Sequence, residues 1–150
     1  MIRCTENVNS VLDLLDESIL STKCGIKMNI FIDQNGNSKV AIVDSSDIVI
    51  HDVQDALDLM ASISYHNNGC YKIMINKSNI TKDFFELKTR LAGDVLQKYA
   101  NYNVKLAIVG DFVEYNSKSL KDFIYECNNG KQIFFLKDKQ DALHALHGIN

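Results

Sequence analysis

The chain has no proline and no tryptophan, and only 7 glycines in 150 residues. Average usage would place roughly seven prolines in a chain of this length. Their absence excludes a proline-rich linker, a polyproline recognition segment and a collagen-like repeat. Also missing is any apolar run near the roughly 18 residues that would signal a membrane span. The opening stretch, MIRCTENVNSVLDLLDES, lacks the apolar core of a signal peptide and sets acids among its leucines. Neither sign of charge dominates, with 16 Lys+Arg against 19 Asp+Glu and a net charge of −3. Such a balance offers no electrostatic footprint for nucleic acid. The short basic stripe of Lys77, Lys82, Lys88 and Arg90 is interrupted by Asp83, Glu86 and Asp94, and reads as a solvated helix face. Four cysteines, Cys4, Cys24, Cys70 and Cys127, show neither a CxxC nor a zinc spacing. They read as small apolar packing residues of a reduced, cytoplasmic protein.

What is present is the apolar fraction of a globular domain, 46%, arranged in short periodic segments. Residues 6–20 repeat Val8, Val11, Leu12, Leu15 and Ile19 at the spacing of one helical face, with Thr5 as N-cap. A helix this short is marginal alone, so its stripe must dock on something. From Met28 the period changes. NIFID (29–33) and KVAIVD (39–44) flank an Asn35-Gly36 turn, the strongest short hairpin signal. After DIVI (47–50), Asp52 caps a helix bearing Val53, Ala56, Leu57, Met60 and Ile63. YKIMI (71–75) is a strand, and a helix over about 83–101 buries Phe84, Leu91, Ala92, Val95, Leu96 and Tyr99. VKLAIVG (104–110) has the unbroken apolar run of a strand covered on both faces. Ser117 or Ser119 opens the next helix, closed by Asn129 and a left-handed Gly130. IFFL (133–136) is the last strand, and Asp138 caps a final helix closed by Gly148. The string is a hairpin followed by α-β-α-β-α-β-α. That order predicts one α/β domain over 28–150 with a mostly parallel sheet of four to five strands, preceded by an extension of residues 1–27.

Three segments carry a resemblance: VAIVDSSDIVIHDVQDALDLMAS (40–62), NKSNITKDFFELKTRLAGDVLQKYANYNVKLAIVGDF (76–112) and SKSLKDFIYECNNGKQIFFL (117–136). Through them the chain, from Met28 to about Leu146, resembles the bacterial family catalogued as domain of unknown function 4180, which implies no activity. In element order the chain is also similar to STAS domains, the sulfate transporter and anti-sigma factor antagonist fold. STAS regulators are switched by phosphorylation of a serine in an Asp-Ser-Ser-Gly-like turn. The corresponding stretch here, from Ile80 to Phe85, lacks that motif. Thr81, Ser78 and Thr89 are the acceptors the resemblance leaves conceivable.

In open α/β sheets ligands bind beyond the carboxyl ends of the strands. His51-Asp52, Asn76-Lys77-Ser78, Gly110-Asp111-Phe112 and Lys137-Asp138 stand at those ends. Asp52 and Asp138 serve equally as helix caps, and Lys77 as a solvated loop cation. An enzyme reading takes His51 as base and Asp111 or Asp52 as its orienting carboxylate. Its nucleophile would be Ser45, Ser46 or Cys70, without support from any GxSxG, P-loop or GxGxxG motif. His144 and His147 lie one helical turn apart and His66 follows an earlier helix, but no further ligand completes a metal set. Neither metal nor cofactor is expected. Phe84 and Phe85 would point about 100° apart on a helix, so one of them would face a pocket or partner. Gly93 in mid-helix suggests a close backbone approach, to the sheet or to a second copy.

The candidate binding or regulatory residues are therefore Lys77, Ser78, Thr81, Phe84, Phe85, Thr89 and Asp111. The reading that asks least is a non-catalytic binding or regulatory module working through protein–protein contacts, with self-association through helix 6–20. A small-molecule or lipid pocket under helix 83–101 is second, and an enzyme using His51 and Asp111 third.

Overall fold

The computed structural model describes residues 28–149. The expected helix 6–20, its Thr5 cap, Cys4 and Cys24 lie outside them. The chain enters a hairpin of β1 (Asn29–Asn35) and β2 (Ser38–Asp44), in which Asn35 pairs with Ser38. The two turn residues are thus Gly36 and Asn37 rather than Asn35 and Gly36. Gly36 has φ +64°, and a positive φ at the first central position is what a type II′ hairpin turn needs glycine for. Ile30 and Ile32 point to one face of the sheet. Phe31 and Asp33 therefore point to the other.

α1 (Val53–His66) starts as expected, with the Asp52 carboxylate accepting from the Asp55 amide at 2.9 Å. Its buried residues are Ala56, Leu59 and Ile63. Leu57, expected on that face, is only half-buried, because Leu59 takes the inward place. β3 (Lys72–Asn76), β4 (Lys105–Val109) and β5 (Ile133–Leu136) extend the sheet in the order β1-β2-β3-β4-β5. β1 is antiparallel to β2, and the remaining pairs are parallel. The fold is a single α/β domain on a mixed five-stranded sheet.

The expected helix 83–101 is α-helical only from Leu91. Before it come 3₁₀ turns at Lys77–Asn79, Lys82–Phe85 and Leu87–Thr89, then Arg90 with φ +68°. A regular helix would send Phe84 and Phe85 to different sides. The looser turns instead bury both rings, in an edge-on pair 5.1 Å apart. The Thr89 hydroxyl meets the carbonyls of Asp83 and Glu86 and accepts from the Leu91 amide, so it ends the turns and starts α2 (Leu91–Asn101). Gly93 in α2 faces open space, so no sheet or neighbouring segment among the described residues approaches it.

α3 (Lys118–Asn128) is capped by Ser117, whose hydroxyl accepts from the Leu120 amide. Gly130 does not take the left-handed conformation expected of it. Asn128 ties down this end instead: its carboxamide donates to the Phe135 carbonyl at 3.1 Å and accepts from the Phe135 amide at 2.7 Å. The same pair of bonds occupies main-chain groups on the outer edge of β5, which blunts an edge strand's capacity to pair with another chain. α4 (Lys139–His147) follows Asp138, which lacks the side-chain cap bond expected of it.

Two apolar layers result. α1, α2 and α3 cover one face through Ala56, Ile63, Val95, Tyr99 and Leu120 on Ile73, Ile75, Leu106 and Ile108. Among the described residues α4 alone covers the other, laying Ala142 and Leu146 on Val40, Met74, Ala107 and Phe134. Within the thicker layer the Tyr99 hydroxyl donates to the Ala56 carbonyl at 2.7 Å, pinning α2 to α1. Burial pushes this phenol well above the ordinary tyrosine range. No helix of the described residues is long and apolar enough to cross a membrane.

Candidate functional site

The carboxyl edge of the sheet collects several of the residues expected to bind. Lys77, leaving β3, passes beside Gly110 at the end of β4. A Cβ added at Gly110 would stand 2.6 Å from the Lys77 Cβ, so this glycine makes room for the lysine stem. The Lys77 Nζ then donates to the Asp111 carbonyl at 2.7 Å and to the Glu114 carboxylate. It sits 4.7 Å from the Tyr115 ring centre, in cation–π range. Tyr115 in turn stacks on Phe85 at 5.4 Å. Partial burial pulls the Lys77 ammonium down, but Glu114 and Tyr115 outweigh it and hold the group above the ordinary lysine value. Lys77 is therefore an internally paired cation with a side chain only 20% exposed, not the solvated loop cation expected.

The other sequence candidates take local roles. Asp111 meets Lys77 through its carbonyl, while its carboxylate accepts from the Val113 amide. His51 gives both its amide and Nδ1 to the Asp55 carboxylate, each at 2.9 Å, and no hydrogen bond joins it to Asp111. The expected pairing of His51 with Asp111 is thus not assembled, and the alternative partner Asp52 spends its carboxylate on the Asp55 amide. The Ser45 hydroxyl accepts from the Asp47 amide, Ser46 and Ser78 are exposed, and the Thr81 amide donates to the Ile50 carbonyl. Phe84 and Phe85 are core residues, exposed by only 1% and 5%, so neither lines an open pocket. Burial raises the Cys70 thiol and pushes Cys127 up to about 11, which disfavours the reactive thiolate of both. Among the described residues no three His, Cys, Asp or Glu side chains are placed to hold a metal ion.

The opposite edge, where strands begin, holds two features. The first is an open hollow of about 600 Å³ between the end of α1 and the starts of β3 and β4. Met60, Tyr65, Cys70, Tyr71, Tyr102 and Val104 line it. Tyr65 and Tyr102 are 80% and 63% exposed.

The second lies on the α4 face. Asp33 pairs with Val40, so Asp33, Val40 and Ser38 share one side of the hairpin. Lys72 stands two residues before Met74 and shares that side. The end of α4 brings His147 down onto them. His147 Nδ1 lies 2.7 Å from the Ser38 hydroxyl and Nε2 lies 2.8 Å from the Asp33 carboxylate. The Lys72 Nζ donates to the Ser38 hydroxyl at 2.9 Å and to the Ile149 carbonyl at 2.6 Å. One proton assignment satisfies this chain: Lys72 donates to Ser38, Ser38 donates to a neutral His147 at Nδ1, and His147 donates from Nε2 to Asp33. Burial pulls the Lys72 ammonium below the ordinary lysine value. The hairpin register and the alternation of β3 would have put Asp33, Ser38 and Lys72 on one face from sequence alone. His147, weighed there only as a partner of His144, reaches them because α4 crosses that face, which no local pattern specifies.

Residues 35–146, from the hairpin turn to the last turn of α4, match the family described as Domain of unknown function (DUF4180). No curated protein matches the chain. Since the match spans well over half of its residues, the chain belongs to the DUF4180 family.

Proposed function

We propose that the chain is a STAS-like binding and regulatory module that works through protein–protein contacts, and that its first partner is a second copy of itself. The observation that carries this reading is the hollow at the amino edge, where Tyr65 and Tyr102 stand 80% and 63% exposed around an apolar floor. Tyrosine is enriched at protein interfaces because it offers a large rigid apolar body with one polar tip. The occupant is the segment 6–20 of the second copy. In sequence its Val8, Val11, Leu12, Leu15 and Ile19 recur at helical spacing, and a helix bearing them would need cover. As a helix it would extend about 22 Å, enough to lie along such a hollow. The other candidate residues, Lys77, Ser78, Thr81, Thr89 and Asp111, remain regulatory positions of this reading, with Ser78 exposed. Phe84 and Phe85 support them from the core.

Sedimentation of the full chain over a concentration series tests the reading. The expected result is self-association, weakened about tenfold or more by Tyr65→Ala with Tyr102→Ala, and equally by Leu12→Asp with Leu15→Asp. A full chain that stays monomeric overturns it, as does an assembly indifferent to both pairs of substitutions.

A further inference from the structure

The side chains of Asp33, His147 and Ser38 form a continuous chain with Lys72 at its end, while the Lys72 bond to the Ile149 carbonyl separately ties the segment after α4 to β3. A serine hydroxyl within 2.7 Å of an imidazole nitrogen, whose other nitrogen is held by a carboxylate at 2.8 Å, is the arrangement of an activated nucleophile. We propose that Ser38 is a nucleophile, activated by His147 and oriented through Asp33, that takes a small acyl group from an activated ester or thioester. This goes beyond the binding reading and does not depend on it. Ser38 is half-buried and Asp33 keeps 45% of its side chain exposed, so the group lies at the margin of the fold rather than in its core. His147 faces Ser38 with Nδ1, the nitrogen next to its own Cβ, whereas serine hydrolase triads use Nε2. That crowding restricts the site to small acyl groups.

The Ser38 oxygen bonds to the acyl carbon while its proton passes to His147 Nδ1. The bond from that carbon to the leaving oxygen or sulfur breaks, and the leaving group departs with the electron pair and takes the proton from His147. Asp33 stabilises the imidazolium in between, and the buried Lys72 ammonium, 2.9 Å from the Ser38 oxygen, favours the negative charge that develops beside it. Water then repeats the sequence. Its oxygen bonds to the acyl carbon, its proton goes to His147, and the serine leaves and recovers a proton, releasing the free acid.

The test is acyl transfer from p-nitrophenyl acetate to the full chain, followed by mass mapping of acetylated residues. Ser38 is expected to label about a hundredfold or more faster than the exposed Ser46 and Ser78, which serve as controls within the same molecule. Ser38→Ala abolishes the fast phase, and Asp33→Asn, at a part-exposed side chain, slows it about tenfold or more. Labelling of Ser38 no faster than of Ser46 and Ser78 overturns the proposal, even where the variants fail to fold. Fast Ser38 labelling that Asp33→Asn leaves unchanged, in a variant of unaltered circular dichroism, overturns the role of the triad.

Discussion

At the carboxyl edge of the sheet, Lys77 is wrapped by Glu114, Phe112 and Tyr115, and Phe85 closes the floor beneath them. At the amino edge the same strands leave an open hollow rimmed by three tyrosines, and across the sheet a polar chain from Asp33 to Lys72. Parallel α/β sheets ordinarily keep ligand space at the first of these edges. Here the chain fills it with its own side chains, and both the open hollow and the serine–histidine pair lie at the second. Position in the fold is therefore a poor guide to the site, and the chemistry of the groups decides.

Substitutions can break this contrast, and the largest effect belongs to the filled edge. Phe85 is 5% exposed and touches Phe84, Phe112 and Tyr115. Phe85→Ala leaves a cavity among three rings and is expected to cost about 3–5 kcal/mol in urea denaturation. A loss below about 1 kcal/mol would mean that the carboxyl edge is loosely filled. Next comes Gly110→Ala. Its Cβ would press on the Cβ of Lys77 rather than on the mobile end of that side chain, so relief requires a backbone shift. The expected cost is about 1–3 kcal/mol, read by the same measurement.

The amino edge predicts a smaller effect that depends on pH. Desolvation lowers the Lys72 pKa in the folded protein, so between that value and the ordinary 10.5 the unfolded chain binds the proton more readily. Stability contributed at this site therefore rises with pH across that window, and the penalty for the buried charge is full below it. One proton limits the slope to about 1.4 kcal/mol per pH unit. Tyr99, raised by burial, opposes the trend at the alkaline end. The quantity to measure is thus the difference between the wild-type chain and Lys72→Met over the alkaline range. Wild-type stability minus that of the variant should rise with pH across that window, and a constant difference would refute the lowered lysine value.

The order of elements was readable from the sequence because each strand after the hairpin is a short apolar run and each helix has its own period. Asp52 and Ser117 cap their helices as local chemistry requires, and the hairpin forms with its turn one residue later than expected, on Gly36 and Asn37. The departures at Phe84, Phe85, Lys77 and His147 share one cause. Whether Phe84 and Phe85 sit on a helix depends on whether the core can take both rings, a property of the sheet and not of their neighbours in sequence. Lys77 and Asp111 were placed at one edge by strand ends alone. That Glu114 and Tyr115 would occupy the lysine there depended on the path of the loop after β4. His147 shows the same limit: its partners lie more than a hundred residues away, and only the choice of sheet face by α4 joins them.

The smallest expected effect is the most discriminating for the contrast between the edges. Tyr102 is 63% exposed and follows the last turn of α2, where the main-chain amide and not the ring makes the capping bond to Lys98. Its ring therefore contributes little to folding. Tyr102→Ala is expected to change stability by no more than about 0.5 kcal/mol, the range of exposed positions free of caps and strain. Phe85→Ala and Tyr102→Ala together then separate an aromatic group that holds the fold from one that the fold presents. If Tyr102→Ala costs more than about 1.5 kcal/mol in the monomeric state, the ring is structural and the hollow is a shallow extension of the core. If stability holds while self-association falls, the tyrosines at the amino edge serve contact, and the open side of the sheet is where the protein meets its partner.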